Sequence, residues 1–159
     1  MGVLSIERID VGPSRIDALV RVTDSRFERT SSSAGVAQRA LELLPGLARH
    51  TCENGTAHGI VAELADTETP HLFEHVACEI MSLAGSPRTL RAETVWDFSQ
   101  DGRGVYRVHF AFDDDLVALA SLGGALQVVD WLIAPGSAPA EKPDIDAIVR
   151  AAVAARATS

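Results

Sequence analysis

Alternation of apolar and polar residues sets the first elements. Ile16, Ala18, Val20 and Val22 fall on one face of residues 16–23, with Asp17, Arg21 and Thr23 mostly on the other. That period of two marks a half-buried strand. Residues 3–9 read as a strand before it, and Gly12-Pro13-Ser14 is a turn, so the two are expected to form a hairpin. Residues 24–33 are polar and Ser-rich and read as a loop. Val36, Ala40, Leu41 and Leu44 have helical spacing that Pro45-Gly46 stops. Residues 47–56 are irregular and carry His50, Cys52 and Gly55; a short helix is expected over 57–65. A second strand pair follows at 92–98 and 105–112, with a turn at 100–104. In it Tyr106, Val108, Phe110 and Phe112 share one face. Asp113, Asp114 and Asp115 lead into a long helix ending near Ile133, acidic where the helix dipole favours it. Gly123-Gly124 inside it reads as a close-packing point.

The helix between the strand pairs is unusual. Thr69 is the expected N-cap, Pro70 the first helical residue and Gly85 the C′ residue. Leu72, Phe73, Val76, Ala77, Ile80, Met81, Leu83 and Ala84 make most of its surface apolar. His71, Glu74, His75, Glu79 and Ser82 form one narrow polar stripe. A helix apolar nearly all round is buried, and ionisable groups on a buried helix need partners.

Two hairpins separated by helices predict an α+β fold: a mostly antiparallel sheet with helices on one face. Residues 1–134 read as one domain. Residues 135–143 read as a Pro/Ala/Gly linker, and 144–159 as a C-terminal helix that packs on the domain or on a partner. The 159 residues suffice for one buried core. The net charge of −8 argues against a nucleic-acid partner. Residues 116–134 are strongly apolar, but Gln127 and Asp130 interrupt them after three aspartates, so a core helix is expected and no membrane partner. Two cysteines are too few for a disulfide framework, and Glu7, Arg8 and Asp10 break any apolar leader. A soluble, cytoplasmic protein is expected. The acidic surface and exposed sheet edges leave room for a homodimer.

The stripe begins with His71-Leu72-Phe73-Glu74-His75, an H-x-x-E-H run. On a helix, positions i, i+3 and i+4 share a face. Two imidazoles suit a divalent ion, zinc above all, and the carboxylate between them suits a general base. His71 and His75 are therefore the candidate ligands and Glu74 the candidate catalytic residue. A third ligand is required. Glu79 is the local candidate, although the stripe from His71 to Glu79 climbs about 12 Å of axis. Glu79 in an outer role behind His75 is the other reading, with His50, Cys52, Glu93 and Asp97 as donors that folding could bring in. The plain alternative is a buried His–Glu contact without a metal. His58 reads as an exposed helix start, His109 as a residue opposite the aromatic face, Cys78 as a small core residue, and Trp96 and Trp131 as core or interface residues.

From Gly46 to about Leu132 the chain resembles the N-terminal domain of cyanophycin synthetase. The matching residues are Gly46-Leu47, His50-Thr51-Cys52, Gly55, Gly59, Leu64, the run from His71 through Glu79, Leu83-Ala84-Gly85, Gly104-Val105-Tyr106-Arg107-Val108 and Phe110. The resemblance implies a free-standing copy of a domain that elsewhere precedes an ATP-grasp ligase and a Mur-ligase-like domain. It implies either binding of a polymer with an aspartate backbone and arginine side chains, or a metallopeptidase-like site that cuts it. It places His71, His75 and Glu79 on the metal and Glu74 as base, and implies a separate ATP-dependent ligase as partner. The stretch from Ser86 to Trp96 departs from the Gly/Arg/Thr-rich segment usual there. Glu93, Asp97 and the bulky Trp96 stand where substrate contacts would be. The expected function is thus a zinc-dependent hydrolase of amide or peptide bonds, acting on cyanophycin-like Asp/Arg peptides. The alternatives are a non-catalytic polymer- or partner-binding module and a metal-bound structural domain.

Overall fold

The computed structural model describes residues 2–52, 59–134 and 141–156. Both hairpins form, and they join into one four-stranded antiparallel sheet. Its strands are β1 (Leu4–Val11), β2 (Arg15–Val22), β3 (Ala92–Val95) and β4 (Val105–Ala111), in the order β1-β2-β4-β3. Across the central pair, Ile16 sits opposite Phe110, Ala18 opposite Val108 and Val20 opposite Tyr106, all buried. The reverse face carries Asp17, Arg21, Arg107 and His109, and His109 Nδ1 meets Asp17 Oδ1 at 2.6 Å. Strand alternation therefore places His109 away from the helices, as expected.

Helices α1 (Val36–Leu43), α2 (Gly59–Ala65), α3 (Thr69–Leu83), α5 (Asp115–Ile133) and α6 (Ile145–Ala155) complete an α+β architecture, with a short α4 (Phe98–Asp101) between β3 and β4. Helix α3 lies against the sheet, and Phe73 meets Phe110 edge-on at 6.0 Å. Helix α5 packs beside α3, and α6 packs on both. By length and composition α5 could cross a membrane, but Val117, Leu122, Ala125, Val128 and Leu132 are buried within the fold. It is the core helix. At Gly124 a side chain would collide with Ile148 of α6, whereas Gly123 faces open space. One of the two glycines is a close-packing point. Of the expected linker, residues 135–140 lie outside the described residues, as does His58.

Four features differ from expectation. The first strand of each pair is shifted or cut: β1 runs on to Val11, and β3 stops at Val95 rather than Phe98. The cut in β3 arises because Asp97 accepts from the Ser99 and Gln100 amides and caps α4. The polar stretch 24–33 is folded into two 3-10 turns, Ser25–Phe27 and Thr30–Ser32. The N-cap of α3 is Glu68, not Thr69, and it makes no side-chain cap. Thr69 instead gives its hydroxyl to the Phe27 carbonyl, which fastens the helix start to the loop. The other end is as expected. Gly85 has φ +102°, its N–H reaches the Ser82 carbonyl, and Ser86 N–H reaches the Met81 carbonyl. That pair of bonds is a Schellman closure.

Candidate metal centre

Helix α3 is buried along nearly its whole length, His71, Glu74, His75 and Glu79 included. Its stripe faces a groove of about 940 Å³, walled by β3, the segment 87–91 and residues 49–52. The approach of residues 49–52 is set by the turn after α1. Pro45 opens a 3-10 turn, Pro45–Arg49, and His50 follows in extended conformation. Gly46 is needed in that turn, because a Cβ there would collide with the Glu79 carboxylate.

Four side chains converge. His71 Nε2 and His75 Nε2 stand 3.1 Å apart, and Cys52 Sγ is 3.5 Å from His71 Nε2. His50 Nδ1 meets His75 Nδ1 at 3.0 Å. Cys52, His71 and His75 place their donor atoms within 4.8 Å of one another. The Glu74 carboxylate lies 3.7 Å from His75 Nε2, with its other oxygen held by the Thr94 hydroxyl at 2.9 Å.

The outer partners fix the ring tautomers. Thr67 gives its hydroxyl proton to Glu68, so at 2.9 Å it must accept from His71 Nδ1–H. This leaves His71 Nε2 bare. Glu79 is held by the Arg88 guanidinium, whose two nitrogens reach its two oxygens at 2.8 and 3.2 Å. An ionised carboxylate only accepts, so His50 Nε2–H donates to Glu79 at 2.9 Å. His50 Nδ1 stands 3.0 Å from His75 Nδ1, and a His75 Nδ1–H donated across that contact leaves His75 Nε2 bare as well. Two lone pairs then face each other across 3.1 Å beside a thiol. Such an arrangement fits a cation. A tetrahedral zinc with bonds of about 2.0–2.3 Å needs its nitrogen and sulfur donors about 3.3–3.6 Å apart, close to the separations here.

The electrostatics agree with this. Burial, reinforced by the neighbouring imidazoles His71 and His50, holds His75 down to about 3, and burial also lowers His71. Both rings are therefore neutral, the ligating form. Burial opposes ionisation of Glu79, but the hydrogen bond from His50 and the Arg88 fork outweigh it and hold the carboxyl at about 2. Burial pushes Glu74 up to about 7, with Glu93 adding to the effect against the Thr94 hydrogen bond. Burial likewise raises the Cys78 thiol.

These shifts predict the acid behaviour of the metal-free protein. The neutral form of His75 stabilises the fold fully above 6.5, and this is lost as pH falls toward 3. The ionised Glu79 contributes above 4.5 and is lost toward 2. Glu74 acts in the opposite sense: its protonated form suits the fold, and stability declines as pH rises from 4.5 to about 7. Denaturant titrations at several pH values are expected to show near-level stability between 4.5 and 6.5, where His75 and Glu74 oppose each other, and a steep loss below 4.5. A loss that begins only above 6.5 would contradict these assignments.

Of the donors considered from sequence, folding brings His50 and Cys52 to the stripe. Glu79 joins through His50 and Arg88, and it is not among the three convergent donors. Glu93 is exposed and lines the groove; Asp97 caps α4. Cys78 is partly buried and also lines the groove. Trp96 is half exposed and stacks on Phe98. Thr67, Thr94 and Arg88 escaped the sequence reading. Each is remote from the H-x-x-E-H run or carries an unremarkable side chain, and no local signal marks them.

The family model for the cyanophycin synthase-like N-terminal domain matches residues 19–134. That span holds the second half of β2, strands β3 and β4, helices α1 to α5 and every side chain of the cluster. No curated protein matches the chain.

Proposed function

The chain belongs to the family of cyanophycin synthase-like N-terminal domains, and on that premise we propose that it is a zinc-dependent hydrolase of amide or peptide bonds. The observation that carries this reading is the convergence of the His71 and His75 Nε2 atoms, 3.1 Å apart, and the Cys52 thiol beside a carboxyl held at about 7. Cys52, His71 and His75 would hold the ion, with Cys52 as thiolate. Zinc in such a site polarises a carbonyl and lowers the pKa of water. Glu74 would take the proton of the attacking water and return it to the leaving amine. Thr94 orients Glu74, and the Arg88–Glu79–His50 chain orients His75. A bound dication would draw the Glu74 carboxyl below about 7, so the ascending limb of the pH profile is expected at or below that value.

Cyanophycin-like Asp/Arg peptides are the proposed substrates, on the strength of the family and of the arginines that line the groove. We further take the protein to act in the cytoplasm, alongside a separate ATP-dependent ligase, with a homodimer as its proposed assembly. A polymer-binding module without turnover is the second reading, favoured by the size of the groove. Incubation with such peptides separates the two. Hydrolysis that stops with a chelator and returns with zinc is expected. Binding without cleavage, unaffected by chelation, would leave only the second reading.

A further inference from the structure

Strand β3 is an outer strand of the sheet, and one of its edges is open. Its register sets Glu93 opposite His109 and Val95 opposite Arg107, and the Ala111 N–H donates to the Arg91 carbonyl at 2.8 Å. In an antiparallel ladder the residues that exchange hydrogen bonds alternate. Residues 91, 93 and 95 therefore turn their backbone groups toward β4, and Ala92 and Thr94 turn theirs outward. Among the described residues, no group bonds the outward N–H or C=O of Ala92 and Thr94. Sheets usually blunt or cover such an edge, because it templates another strand.

Here the edge forms a wall of the groove: Ala92, Glu93, Thr94 and Val95 all line it. The same Thr94 whose backbone faces outward donates its hydroxyl to Glu74. The strand edge and the carboxyl are thus joined through one residue. Arg15, Arg49, Arg88 and Arg91 also line the groove, in a chain of net charge −8. Glu74 and Glu93 line it too, and Arg15 pairs with Asp17 and Arg88 with Glu79, so the lining sets four arginines against two carboxyls.

We propose that an extended acidic peptide docks in the groove as a fifth strand, pairing its backbone with Ala92 and Thr94 and presenting an amide to Glu74. Main-chain pairing supplies register, and alternate side chains of the peptide face the helix layer or solvent. Selection would therefore act on every second residue. The inference rests on the reading above only in taking Glu74 as the group that meets the scissile amide; the pairing itself needs no zinc.

The test uses full-length protein carrying Glu74→Gln, so that bound peptide survives, and a hexapeptide of alternating Asp and Ala as probe. Amide exchange followed by NMR is expected to slow at Ala92 and Thr94 by about tenfold or more on binding, with Glu93 and Val95 unchanged. Two N-methylated forms of the peptide, blocked at alternate amides in opposite phases, should differ. One phase loses about tenfold in affinity, the scale of one or two hydrogen bonds, and the other is nearly unaffected. Ala92→Pro removes an outward donor and no ladder bond, and should weaken binding by a similar factor with zinc content unchanged. Equal losses in both phases, protection confined to other residues, or no binding of the probe would overturn the proposal. Absence of zinc with the protection pattern intact would instead count against the metal reading alone.

Discussion

Glu74→Gln is expected to abolish amide hydrolysis, by about 10²–10⁴-fold, with zinc content and fold preserved. Glutamine is close in shape, and its amide oxygen can still accept the Thr94 hydroxyl that holds the native carboxylate at 2.9 Å. What it cannot do is take a proton from water. The carboxyl is suited to that task, because burial places it at about 7 rather than in the usual carboxylate range. The same substitution has an opposite effect on stability. Removing a buried carboxylate that must ionise as pH rises from 4.5 to about 7 should raise the melting temperature of the metal-free protein at pH 8 and leave it little changed at 4.5. Activity that survives Glu74→Gln within a small factor would remove Glu74 as the base. A variant no more stable than the parent at pH 8 would remove the account of its ionisation.

The second large effect separates ligand from support. Cys52→Ala is expected to lose stoichiometric zinc, because it removes one of three convergent donors. Glu79→Gln is expected to keep zinc but bind it about 10–100-fold more weakly, the usual scale for a partner behind the ligands. In that variant the amide oxygen still accepts from His50, and the charge that anchors Arg88 and fixes His50 is gone. Titration of zinc against a competing chelator distinguishes the two. If Glu79→Gln loses zinc outright and Cys52→Ala retains it, Glu79 is the third ligand and Cys52 a bystander.

Much of this fold was legible because its elements are strongly periodic. Alternation at Ile16, Ala18, Val20 and Val22 and at Tyr106, Val108 and Phe110 marked the buried sheet face, and the sheet bears it out. The apolar surface of α3 correctly implied a buried stripe. Ends of elements were less legible, since they depend on distant partners. Thr69 has the right chemistry for a cap, yet the Phe27 carbonyl claims its hydroxyl. The site divides along the same line. The H-x-x-E-H spacing brings His71, Glu74 and His75 to one face by helix geometry alone. The remaining donor comes from residues 49–52, whose path depends on a 3-10 turn and on Gly46 yielding space to Glu79. Glu79 lies on the correct stripe, but Arg88, nine residues on, engages it through two hydrogen bonds. No helical periodicity contains that ion pair.

The central claim is that Cys52, His71 and His75 form a zinc site. Elemental analysis of the full-length protein, purified without a nickel column, tests it most directly. About one zinc per chain is expected, absent from His71→Ala and His75→Ala variants that remain folded. A correctly folded protein that contains no metal, and whose stability does not respond to added zinc, would contradict the account.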